Sequence, residues 1–124
     1  MANLTPRLTL TGTAASFGSA VNLSVDDLLV VGAPFSGVSR LSIGTSSAEE
    51  VSSDLTTSQS AHTFVYLKNT DGTNIITIST HGGTAFATLN PGEFMFFPLK
   101  GTVGLKAQAN VAACILEYAY FTRS

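Results

Sequence analysis

The sequence predicts an all-β chain: an antiparallel β-sandwich of jelly-roll type, with eight or nine strands and little or no helix. Three observations predict it. Apolar and polar residues alternate at period two in segments such as RLTLTG (7–12) and VGLKAQA (103–109). Turn signals built on Gly, Pro, Asn and Asp recur about every ten residues. No internal repeat is visible, which sets propellers and solenoids aside.

The elements follow in order. Residues 1–6 read as an N-terminal arm ending at Pro6. Residues 7–12 place Leu8 and Leu10 on one face and Thr9 and Thr11 on the other, and residues 20–25 group Val21, Leu23 and Val25. Asp26-Asp27 interrupts, Leu28 to Val31 is a short apolar run, and Gly32-Ala33-Pro34 reads as a breaker. Residues 37–43 put Leu41 and Ile43 opposite Arg40. Residues 44–60, rich in Ser and Thr, read as a long exposed loop with one helical turn near Ala48 to Val51. Strands at 63–69 and 74–80 flank Asp71-Gly72, a strong signal for a two-residue hairpin with positive φ at both positions. Gly82-Gly83 precedes a strand at 84–89. Asn90-Pro91-Gly92-Glu93 reads as a type II turn, since Pro91 pre-sets φ and Gly92 accepts the positive value that follows. Strands at 93–98, 103–109 and 112–121 complete the chain.

At 124 residues the chain reads as a single domain, large enough for one core. Charged residues make up 11%, where roughly a quarter is usual. Instead, 16 Thr and 14 Ser supply polarity. A compact fold of this mass exposes on the order of 6,300 Å², or roughly 450 Å² per charge. Such a surface repels its own copies weakly and suits a chain packed against neighbours, although Ser/Thr-rich surfaces are also common on monomeric β proteins. Arg7, Arg40, Lys68, Lys100, Lys106 and Arg123 are scattered, so no groove for nucleic acid is expected. Neither a leader pattern nor a bilayer-length apolar run is present, so synthesis in the cytoplasm and no membrane partner are expected. A single cysteine allows no internal disulfide.

Candidate chemistry is sparse. His62 and His81 flank the 63–80 hairpin and could share a metal with Glu49 or Asp54, but no ligand spacing supports it and turn-exposed histidines need no explanation. Cys114 could act as a nucleophile with either histidine, yet a lone cysteine in an apolar strand reads better as a small core residue. Asp26, Asp27, Glu49, Glu50 and Asp54 lack calcium-loop spacing. Glu117 stands in an apolar strand and is expected to pair with Arg40, Lys68 or Lys106. No catalytic site, metal or cofactor is expected, and the chain reads as a non-enzyme.

The densest apolar run is NPGEFMFFPL (90–99). As a strand it carries Phe94 and Phe96 on one face and Met95 and Phe97 on the other. Two apolar faces require two covers: the chain's own core, and a second sheet, a loop or another subunit. The candidate interface residues are therefore Phe94, Met95, Phe96, Phe97, Tyr118, Tyr120 and Phe121, with the partner-facing pair of the strand left open.

Three segments, VYLKNTDGTNIITI (65–78), LNPGEFMFFPLKG (89–101) and AACILEYAYF (112–121), resemble small structural proteins of tailed bacteriophages, especially phages of marine and cyanobacterial hosts. The resemblance spans about half the chain, and LSVDDLLVVGAPFSGVSRLSIGTSS (23–47) fits more loosely. It implies a β-sandwich virion component, often a homotrimer. Such a protein is assembled in the bacterial cytoplasm and placed on the capsid surface as a decoration or cement protein against the major capsid protein. A tail or tail-adaptor component is the alternative. A carbohydrate-binding jelly roll is a further one, against which the absence of Trp weighs. The arm at 1–6 and the loop at 44–60 are the expected coat-protein contacts.

Overall fold

A computed structural model describes residues 2–13, 18, 20–52, 55, 63–101 and 103–123, the side chain of Pro34 excepted. The described chain is almost entirely antiparallel β-structure, with twelve strands and no α-helix among these residues. It forms two compact units, one reaching to Gly32 and one spanning Ala33–Arg123.

In the first unit, β1 (Ala2–Leu4) lies antiparallel to the start of β4 (Leu29–Phe35), with Ala2 opposite Val31 and Leu4 opposite Leu29. Strands β2 (Arg7–Gly12) and β3 (Val21–Asp26) pair with each other. Their register sets Leu8 opposite Val25, Leu10 opposite Leu23 and Gly12 opposite Val21. One face of this hairpin is therefore wholly apolar, and the other carries Thr9, Thr11, Asn22 and Ser24. Arg7 and Asp26 close its open end at 3.5 Å.

The second unit contains two sheets. In the first, β12 (Cys114–Arg123) lies between β5 (Ser39–Ile43) and β7 (Thr63–Asn69), and β7 lies between β12 and β10 (Phe94–Leu99). The second sheet runs β6 (Glu49–Glu50), β11 (Lys106–Ala109), β8 (Ile76–Ser79), β9 (Ala85–Leu89). Alternate residues of both sheets build one core: Ile43, Val65, Leu67 and Leu116 from the first and Ile76, Ile78, Leu89 and Ala107 from the second. Burial of each large side chain contributes roughly 1.5–3 kcal/mol.

Several local expectations give way to tertiary structure. Asp71-Gly72 is not a hairpin turn: β7 and β8 belong to different sheets. The connection is an arch in which the Asp71 carboxylate accepts the N–H groups of Thr73 (2.9 Å) and Asn74 (2.6 Å), and Gly72 is not among the glycines with positive φ. Strand β7 pairs instead with β10 and β12. Gly32-Ala33-Pro34 does not break the chain but lies within β4. The expected arm contains β1. Where a helical turn was expected near Ala48, the strand β6 pairs with β11. Beyond it Val51 and Leu55 are buried in the core, so this stretch is not wholly exposed. The 103–109 strand starts only at Lys106, because Gly104 takes φ +74° and redirects the chain.

The Asn90–Glu93 turn forms as expected. The Glu93 N–H donates to the Asn90 carbonyl at 3.0 Å, and Gly92 has φ +80°. The Glu93 carboxylate then accepts both the backbone N–H (2.6 Å) and the side-chain amide (2.9 Å) of Asn90.

Candidate interaction face

The register of β10 against β7 fixes which face of the aromatic strand is which. Phe94, Phe96 and Pro98 stand opposite Lys68, Tyr66 and Phe64. Met95, Phe97 and Leu99 stand opposite Leu67, Val65 and Thr63, on the side of the core. Met95 and Phe97 pack there half-buried, and Phe97 meets Phe86 of β9 edge-on at 6.1 Å. Phe94 and Phe96 face away, 64% and 40% exposed. Phe96 lies parallel to the buried Phe64, with ring centroids 6.3 Å apart. An open cleft of about 550 Å³ lies beside Phe94, along the Asn90–Glu93 turn.

The same alternation sorts the C-terminal strand. Tyr118 and Tyr120 point into the core side by side, their rings 6.4 Å apart, and the two hydroxyls of Ser52 and Tyr120 lie 3.4 Å apart. Phe121 is half-buried on the outer face, opposite Phe64, and Ile115 is exposed on the same face. Of the seven sequence-nominated residues, Phe94, Phe96 and Phe121 therefore lie on the outer face of the sheet. Met95, Phe97, Tyr118 and Tyr120 belong to the chain's own core.

Glu117 organises the polar part of the outer face. Register puts it between Arg40 of β5 and Lys68 of β7. Its Oε2 lies 3.4 Å from the Arg40 guanidinium, and its Oε1 accepts the Tyr66 hydroxyl at 2.9 Å. Burial, followed by that bond and the charge of Glu117, raises the Tyr66 pKa above its ordinary 10.0. Lys106 lies in the other sheet.

The remaining candidates fall elsewhere. His81 Nδ1 is 3.2 Å from Glu50 Oε1 without hydrogen-bond alignment. His62 and Asp54 lie outside the described residues. Among the described residues no three His, Cys, Asp or Glu side chains gather as metal ligands. Glu49 accepts the Gly44 N–H at 2.6 Å, and Asp27 accepts that of Leu28 at 2.7 Å. Cys114 is buried, and that burial, with a lesser contribution from the Asp71 charge, raises its thiol pKa. Among the described residues no helix is long and apolar enough to cross a membrane.

Phe64, Tyr66 and Ile115 were not singled out for this face. Their strands are apolar on both sides, and only the pairing order shows which side is covered. Comparison with protein families, with curated proteins and with solved structures finds no match.

Proposed function

We propose that the chain is a non-enzymatic structural protein of a tailed-phage particle, a capsid decoration or cement protein that assembles as a homo-oligomer. One observation carries the assembly reading: Phe94 and Phe96, the latter stacked on Phe64, stand exposed on the sheet face opposite the core. Exposed aromatic clusters of this kind characterise association surfaces, where large rigid rings supply most of the binding energy. The low charge of the chain supports the same reading, since little repulsion opposes contact between copies. The placement in a virion rests on the resemblance of residues 65–78, 89–101 and 112–121 to phage structural proteins. Joined to neighbours and to the coat protein, such a module resists the outward pressure of packaged DNA. Light scattering on the isolated chain tests the assembly: an oligomer is expected, and a clean monomer at micromolar concentration overturns it. Imaging of the particle tests the placement, with copies spread over the capsid expected and a few copies at a single vertex favouring the tail.

A further inference from the structure

The β2–β3 hairpin carries an exposed apolar face. Leu8, Leu10, Val21, Leu23 and Val25 share that face, and each is 37–50% exposed. Among the described residues, β2 and β3 pair only with each other. A two-stranded ribbon is marginally stable in water unless its apolar side is covered. We propose that this hairpin is an assembly arm that docks on the outer aromatic face of a second copy of the chain. The proposal rests on the assembly reading above and adds the partner surface to it.

Area and charge favour this occupant. Weighted by exposure, the five aliphatic residues offer about 300 Å², and Phe94, Phe96 and Ile115 about 250 Å². Arm on arm, or face on face, buries only about 500–600 Å² in total, the scale of non-specific contacts. Reciprocal exchange between two copies, each arm on the other's face, buries about 1,100 Å² and reaches the size of a specific interface. The face carries Arg40, Lys68 and Arg123 against one acid, Glu117. The hairpin carries Asp26, and Asp27 just beyond it, against one base, Arg7. Unlike net charges attract arm to face, while arm–arm and face–face contacts join like charges.

The test uses full-length chains at roughly 10 µM, near the strength of a modest interface. Wild type is expected to be oligomeric, and both an arm variant (Leu10→Ser with Leu23→Ser) and a face variant (Phe94→Ser with Phe96→Ser) monomeric by light scattering. Mixing the two variants does not restore a stable oligomer, because a mixed pair makes only one arm-on-face contact of about 550 Å². A second measurement covers variants that fail to fold: Leu10→Cys chains mixed with Phe96→Cys chains cross-link as heterodimers on oxidation, the native Cys114 being buried. Cross-linking of Leu10→Cys chains to one another instead, or an arm variant that stays oligomeric, overturns arm-on-face docking and leaves assembly through the ridge standing. A monomeric wild type overturns both.

Discussion

The side-chain amide of Asn69, at the end of β7, donates to the carbonyl of Leu89, at the end of β9, across 3.0 Å. The two strands lie in different sheets, so this bond ties the sheets together at one end of the core. The same Nδ2 donates to the Asn74 carbonyl at 2.8 Å, and Oδ1 accepts the Asp71 N–H at 3.0 Å. The Asn69 backbone exchanges bonds with the Asn90–Glu93 turn, donating to Glu93 and accepting from Gly92, both at 3.0 Å. One fully buried residue thus holds the arch after β7, the end of β9 and the turn into β10.

Asn69→Ala leaves two carbonyls and one N–H without their partner. A loss of about 2–4 kcal/mol is expected, because unpaired buried groups keep their full desolvation cost. Urea unfolding measures it, and a loss below about 1 kcal/mol would show that water or a shifted loop replaces the amide.

The two faces of β10 have separable roles. Met95→Ser with Phe97→Ser removes core packing and is expected to cost roughly 4 kcal/mol or more. Phe94→Ser with Phe96→Ser removes exposed rings and costs about 1 kcal/mol, mostly the stack on Phe64. Equal losses from the two double variants in urea would contradict the register of β10 on β7.

Tyr66 makes stability pH-dependent at the alkaline end. Its pKa in the folded chain lies above 10.0, through burial first and Glu117 second. The neutral phenol is thus favoured in the native state. The associated stability is complete below pH 10 and is lost as pH rises through the folded value. In Glu117→Gln both the charge and the strong acceptor are gone. Ultraviolet titration is then expected to show Tyr66 ionising at lower pH, with a shallower alkaline decline in stability. Superimposable titrations would mean that Glu117 does not govern the phenol.

Asp71 works in the opposite direction. The N–H groups of Asn74 and Thr73 hold its pKa below the ordinary 3.8. The stability they confer is present above that value and is lost as pH falls through the folded one. Asp71→Ala should therefore flatten the acid end of the pH–stability curve. An unchanged acid slope would show that the arch does not depend on this carboxylate.

The β class, most strand positions from Thr63 onward and the Asn90–Glu93 turn were legible because they are local. Period-two alternation and the Pro-Gly pair act within a few residues. Burial of Cys114 and the pairing of Glu117 with one of Arg40, Lys68 or Lys106 were also legible, since an apolar strand leaves a thiol no water and a carboxylate few partners; the register chose Arg40. The Asp71-Gly72 arch was not, because the same residues serve a hairpin or a crossing between sheets, and strand pairing decides between them. Gly32-Ala33-Pro34 misled for a related reason: a strand can absorb local breakers when its other residues are paired. In NPGEFMFFPL the sequence by itself determined that both faces are apolar and that both need cover. Only the tertiary structure decided that Met95 and Phe97 enter the core while Phe94 and Phe96 remain outside. That choice depends on the register of β10 against β7, and a shift of one residue would reverse it.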